Sequence, residues 1–261
     1  MAPSGSRHVP LGTSVRLDWG HDGAARAAGR GDVLVVVDVL SFSSVAATAV
    51  HRGVELLPCG WDEDPVELAA RHAAQAAVDR RDVPARGRYS LSPLTFLDAP
   101  RGARVVVRSP NGATCVRHAG SVPELLVGSL LNARATARAA GDAAERTCRP
   151  ITVLACGERW RAPGSDGPLR FAVEDLLGAG AVLAGLEDRG LSPDAAAAVA
   201  AFREAAPAME QHLLRCQSGC ELVAAGYRED VRHAARLDLY EAAVALVERR
   251  LVAAPVRDRQ V

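Results

Sequence analysis

Five apolar runs of strand length constrain this chain more than anything else in it: DVLVVVDV (32–39), VELLPC (54–59), ARVVVRS (103–109), ELLVGS (124–129) and ITVLAC (151–156). Their apolar character is continuous rather than alternating, so each needs cover on both faces, as a strand between helix layers has. Each is also followed by a helical pattern. The expected class is therefore α/β, a three-layer α/β/α fold with a mostly parallel or mixed sheet. SVRLDWG near the N-terminus adds a candidate edge strand. From about residue 171 the pattern turns helical, and FAVEDLLGAGAVLAGLEDRG, SPDAAAAVAAFREA, APAMEQHLLRCQSGCELVAAG and LYEAAVALVERRL are read as helices that cover the sheet. Residues 1–12 are read as a flexible tail, 13–261 as one domain and APVRDRQV as a loose end.

Two stretches look like copies of one design. VVVDVLSFSSVAATAVHRGVELL (35–57) and VVVRSPNGATCVRHAGSVPELL (105–126) share a buried strand, a polar turn, a short helix of small residues, a glycine and a strand containing Glu-Leu-Leu. Two related βαβ halves would bring two equivalent polar turns toward one cleft.

Composition narrows the chemistry. Basic and acidic residues balance, 31 against 31, so no broad electrostatic footprint for nucleic acid or an anionic membrane exists. The chain contains no lysine, which removes P-loop, Schiff-base and haloacid-dehalogenase-type lysine chemistry. Residues 1–14 carry no apolar core of a signal peptide and no later stretch is apolar enough to span a bilayer, so the expectation is a cytosolic protein. The six cysteines lack zinc-type pairing and are read as reduced and structural. Cysteine-phosphatase chemistry needs Cys-x5-Arg, but Cys156 has arginines at plus three and plus five and Ala162 at plus six. Asp38 has Leu40 where the haloacid-dehalogenase pattern has a second aspartate.

In open α/β sheets ligands bind at the carboxyl ends of strands, where turns and helix N-termini converge. At those ends the sequence puts Asp38, Ser41, Ser43 and Ser44; Ser109, Asn111 and Gly112; Ser129 and Asn132; and Glu158, Arg159 and Arg161, followed by Glu174 and Asp175. Backbone N–H groups at such turns can hold an anion without lysine. Asp38, Glu158, Glu174 and Asp175 are hard oxygen donors of the type Mg²⁺ prefers. Plainer uses compete: the serines as helix caps, Asn111-Gly112 as a tight turn, Glu158 as a surface partner of Arg159 or Arg161. Glu174 and Asp175 diverge by about 100° on a helix, so one of them can face solvent. Asp38 resists a plain reading, because an apolar strand end is a costly place for an unpaired carboxylate.

With LDWGHDGA, VVVDVLSFSSV, YSLSPLTF, SPNGAT, GSLLNARATA, ACGERW with FAVEDLLGAGAV, and CQSGCELVAAGYREDV in this order, the chain resembles the 2-phosphosulfolactate phosphatase family of the coenzyme M pathway. The resemblance implies a Mg²⁺-dependent acid phosphatase of three-layer α/β/α fold, unlike the haloacid-dehalogenase one, acting on the phosphate monoester of a sulfonated hydroxy acid. It carries over to Asp38, Ser43, Asn111, Gly112, Asn132, Glu158, Glu174, Asp175 and Asp230 as recurrent polar positions. Two departures stand out: Ser41-Phe42-Ser43-Ser44 where many members have Arg-Ala-Thr-Thr, and Leu91-Ser92-Pro93 where they have Asn-Ser-Pro. These bear on the substrate more than on the phosphatase chemistry.

The expected function is thus a Mg²⁺-dependent phosphatase that hydrolyses a small phosphorylated hydroxy acid, with 2-phosphosulfolactate as leading substrate. Asp38 would ligate the metal or act as nucleophile, with Glu174 or Asp175 completing the metal shell. Ser43, Asn111, Gly112 and Asn132 would orient substrate, Arg159 or Arg161 would neutralise charge, and Glu158 would be the general acid/base. Neither nucleic acid nor membrane is an expected partner, and a homo-oligomer is compatible with the sequence. The competing expectations are a small-anion binding protein without turnover, a phosphatase for a different phospho-hydroxy acid, and a magnesium-assisted lyase or isomerase.

Overall fold

The computed structural model describes residues 14–120, 122–160 and 167–255. The five apolar runs become strands β2 (Val33–Val37), β3 (Glu55–Cys59), β5 (Arg104–Arg108), β6 (Leu125–Gly128) and β7 (Ile151–Ala155), with β1 (Val15–Trp19) and the short β4 (Gln75–Ala76) at the sheet edges. Two-residue strands β8 (Glu158–Arg159) and β9 (Leu169–Arg170) pair separately, and β10 (Val244–Val247) and β11 (Arg250–Ala253) form a hairpin. Among the described residues the large sheet has nine strands, in the order β1-β7-β2-β6-β10-β11-β3-β5-β4. Helices are α1 (Gly20–Arg30), α2 (Phe42–His51), α3 (Pro65–Arg71), α4 (Gly112–His118), α5 (Ala133–Thr147), α6 (Val173–Ala184), α7 (Pro193–Ala205), α8 (Met209–Arg215), α9 (Gln217–Ala224) and α10 (Arg228–Ala234).

Burial explains the continuous apolar runs. Along β2, Val33, Val35 and Val37 join a core with residues of α5, α6 and α7, while Leu34 and Val36 join a second core with α1, α2 and α4. Side chains alternate faces along a strand, so a strand with two covered faces has no polar positions to spare. The three-layer α/β/α arrangement follows, and no helix among the described residues is long and apolar enough to cross a membrane.

The sheet consists of two parallel blocks. Strands β1, β7, β2 and β6 form one, and β3, β5 and β4 form the other. The β10–β11 hairpin lies between them and is antiparallel to both neighbours, β6 and β3. The two similar stretches of sequence fold as the two crossovers between blocks: β2-α2-β3 in one direction and β5-α4-β6 in the other. Three antiparallel steps reverse strand sense between the blocks. Twist of roughly 20–25° per strand accumulates over the five steps from β2 to β5 and turns the blocks toward each other. The carboxyl ends of β2 and β5 consequently meet, with Gly112 N–H donating to Asp38 Oδ2 at 2.8 Å.

The hairpin corrects one expectation, since LYEAAVALVERRL was read as a helix. Ala, Leu and Glu favour helix intrinsically, but at this position Val244 and Leu251 complete the sheet interior, both fully buried. Glu248 and Arg249 close the turn at φ 47° and 67°. Two further helix readings are subdivided: the run from 171 ends at Ala184 before a short 3-10 turn, and the run from 206 breaks at Cys216 into α8 and α9. The N-terminal tail, Arg161 and most of APVRDRQV lie outside the described residues.

Candidate active site

The meeting of the β2 and β5 turns opens a cleft of about 780 Å³, lined among others by Asp38, Ser41, Arg80, Ser109, Asn111 and Glu158. Asp38 sits at the end of β2 and is 4% exposed. Its Oδ1 accepts the Phe42 N–H at 3.3 Å, and its Oδ2 accepts the Gly112 N–H at 2.8 Å and the Ser109 hydroxyl at 3.3 Å. Gly112 is required there by contact. A Cβ would come within 2.4 Å of Phe42 Cδ1 and 2.7 Å of Asp38 Oδ2. The Leu40–Ser41 peptide in this turn is cis.

The other expected residues divide into cleft groups and braces. Ser43 Oγ accepts the Asp38 N–H at 2.8 Å, and Ser44 Oγ donates to the Val39 carbonyl at 2.8 Å, so both fix the turn and neither caps α2. Asp175 spends both oxygens on backbone, accepting Val39 N–H and Gly157 N–H at 2.8 Å each. That contact ties α6 to the ends of β2 and β7. Asn132 is fully buried; its Oδ1 accepts the Ser129 N–H at 2.9 Å in a capping box, and its Nδ2 donates to the Ala242 carbonyl at 3.3 Å. It secures the hairpin segment rather than lining the cleft. Arg159 donates to the Gly167 carbonyl at 3.5 Å and is not among the cleft-lining residues.

Glu158 faces the cleft, and its Oε2 accepts from Asn111 Nδ2 at 2.8 Å. Among the described residues its hydrogen-bond partner is Asn111, not Arg159. Glu174 is 2% exposed at the start of α6, and its charge acts on Asp38, Glu158 and Asp175. Burial, opposed by the Gly112 and Phe42 N–H groups and the Ser109 hydroxyl and assisted by the Glu174 charge, raises Asp38 to about 6. Burial and then the Asp38 charge raise Glu158 to about 7, against the pull of Asn111 and Arg170. Asp175 is pushed well above the usual carboxylate range by burial and by the Asp38 and Glu174 charges. Burial and neighbouring negative charge together destabilise the ionised forms of Asp38, Glu158 and Asp175.

Two arginines that sequence reasoning passed over belong to this region. Arg170, on β9, is 6% exposed; it donates to Ser218 Oγ at 3.5 Å and lies 3.6 Å from Glu221. Arg80 lines the cleft and donates to Ser41 Oγ at 2.7 Å and to Asp230 Oδ2 at 3.1 Å. Asp230, matched earlier only by motif, thus has a definite partner. Nothing in the local sequence of VDRRDVP or PLRFAV distinguishes these two arginines from solvated ones, since their burial is a tertiary fact.

A divalent cation fits the donor set in charge and hardness. Asn111 Oδ1 is buried without a hydrogen-bond partner, a hard oxygen left over beside the acids. Among the described residues, no three acid, histidine or cysteine side chains stand ready as a cage. Mg²⁺ suits such a site, because it keeps several waters and takes few protein ligands.

The model of the family described as 2-phosphosulpholactate phosphatase matches residues 23–249, from α1 into the β10–β11 turn. The chain belongs to that family. All the cleft residues named above fall inside the matched span. Similar curated proteins include probable 2-phosphosulfolactate phosphatases of Carboxydothermus hydrogenoformans, 28% identical over 80% of this chain and 83% of the relative, and of Parasynechococcus marenigrum, 28% identical over 79% and 86%. Another of that name, from Caldanaerobacter subterraneus subsp. tengcongensis, is 29% identical, and the match spans 57% of this chain and 59% of that protein. Ser41 and Leu91, the two departures from the family pattern, both line the cleft.

Proposed function

We propose that the cleft hydrolyses the phosphate monoester of a small acidic hydroxy acid, with 2-phosphosulfolactate, the substrate in the relatives' names, as the first candidate. The observation that carries this reading is a pair of carboxyl groups in one cleft held by different partners, backbone N–H groups for Asp38 and the Asn111 side-chain amide for Glu158. Asp38 is fixed through both oxygens by backbone N–H donors. These donors hold the carboxylate in one orientation, which favours a ligand role over a nucleophilic one. In the metal-free protein Glu158 is raised to about 7 by burial and then by the Asp38 charge, which suits it to carry a proton in mildly acid solution. Because Oε2 accepts from Asn111, the proton resides on Oε1, available to a leaving alkoxide oxygen. Magnesium, held by Asp38 and Glu174 with the Asn111 carbonyl oxygen, would supply neutralisation of the phosphoryl charge. Arg170 adds a fixed positive charge near Glu158.

The deciding experiment measures inorganic phosphate released by the purified protein from 2-phosphosulfolactate and related phospho-hydroxy acids, with Mg²⁺ and with a chelator. Release that the chelator abolishes, and that falls at least about 1,000-fold in Asp38→Asn while the fold persists, is the expected result. Tight binding of the same compounds without release would make the protein an anion sensor. A carbon product other than the dephosphorylated acid would make it a lyase or isomerase.

A further inference from the structure

Arg80 is the feature of the cleft that the phosphatase chemistry leaves unused. Its side chain is 18% exposed and is held from three directions. Nε donates to Asp230 Oδ2 at 3.1 Å, Nη2 donates to Ser41 Oγ at 2.7 Å, and the Tyr227 ring lies 5.3 Å beneath the guanidinium carbon. Asp230 is itself fixed, accepting from Ser92 Oγ at 2.7 Å, and is 3% exposed. A flexible arginine loses rotamer freedom when it binds an anion; this one has already lost it. Nη1, with two N–H groups, has no hydrogen-bond partner among the described residues, while Arg80, Ser41 and Tyr227 all line the cleft. A planar, pre-oriented fork with free donors matches the paired oxygens of a carboxylate or sulfonate.

We propose that Arg80, oriented by Asp230, Ser41 and Tyr227, is the specificity-determining residue that binds an acid group of the substrate, carboxylate or sulfonate, other than the phosphate. This rests on the phosphatase reading of the cleft. Asp230 and Tyr227 are positioning residues that act through Arg80. Phosphate and second acid group are then recognised by different elements: the β2 and β5 turns serve the first, and the segment carrying Arg80 serves the second. The cleft selects compounds with an acid group beside the ester and discriminates little among simple phosphate monoesters.

The test compares wild type, Arg80→Gln, Arg80→Lys and the double variant Arg80→Gln/Asp230→Asn, which removes the carboxylate that the single change would leave buried and unpaired. Substrates are 2-phosphosulfolactate, 2-phospholactate and p-nitrophenyl phosphate. Loss of a charge-assisted contact should raise KM for the acid-bearing esters about 10- to 100-fold at nearly constant kcat, with KM for p-nitrophenyl phosphate within about twofold. Arg80→Lys should restore part of the loss. A penalty on both acid esters assigns Arg80 to the carboxylate, and a penalty on the sulfonated one alone assigns it to the sulfonate. Equal penalties on all three substrates, or none in folded variants, overturn the proposal. Calorimetric titration with 3-sulfolactate keeps it separate from the phosphatase reading: binding by wild type that Arg80→Gln weakens supports Arg80 even without turnover. Equal binding by the two, or none by wild type, counts against it.

Discussion

At the scale of single residues, the buried acids set a conflict that the cleft needs and the fold resists. Asp38 and Glu158 are raised to about 6 and about 7 from 3.8 and 4.5. The native state therefore holds protons that the unfolded chain has already released, and stability from these groups is full below about pH 4. It is lost as pH rises through about 6 to 7. In the presence of a chelator, the melting temperature should be higher at pH 5.5 than at pH 8, by roughly 2–4 °C for each kcal/mol involved. Glu158→Gln should flatten that dependence, and Mg²⁺ should raise the melting temperature more at pH 8 than at pH 5.5. A rising or flat profile in wild type would contradict the assigned shifts.

The residue scale is also where sequence reading divides into success and failure for physical reasons. Asp38 stood out because a carboxylate at the end of an apolar strand has few plain uses. Asn132 and Asp175 are candidates only as polar groups near strand ends and helix starts, and they satisfy backbone groups. A polar side chain after a strand is equally fit for capping and for binding, and only its tertiary partners tell which. Arg80 and Arg170 carried no local sign at all.

Among the elements, the strands were legible because double-sided burial leaves a mark in every position. The β10–β11 hairpin was hidden by its own composition, rich in alanine, glutamate and leucine. Its turn shows the compromise. Glu248 and Arg249 both adopt positive φ, a conformation that two-residue hairpins usually assign to Asn-Gly. The exposed ion pairs of these residues with Arg250 and Glu63 contribute little. The double change Glu248→Asn/Arg249→Gly should therefore stabilise the protein by roughly 0.5–1 kcal/mol, read as a higher urea midpoint at unchanged slope. A lower midpoint would mean that those ion pairs outweigh the backbone strain.

For the whole molecule, strand order was not legible, since a pairing such as β6 with β10 joins residues more than a hundred positions apart. The order has a testable meaning. Truncation before Val244 removes not an edge but the junction between two parallel blocks, exposing β6 and β3 as open strand edges. Such a chain should fail to give the cooperative unfolding transition of the full protein and should aggregate, whereas removing β4 by substitution at Gln75 and Ala76 should leave that transition in place. A cooperative, monomeric truncated form would show that the blocks stand without the hairpin.

The position of the hairpin also bears on how the protein is made. Asp38 and Gly112 belong to opposite blocks, and the strands that join those blocks follow every cleft-lining residue in chain order. Nascent chains would carry every cleft residue before they could assemble the cleft. Activity would then appear only once the hairpin has been made, and a product terminated before Val244 would be inert and exposed to proteolytic clearance.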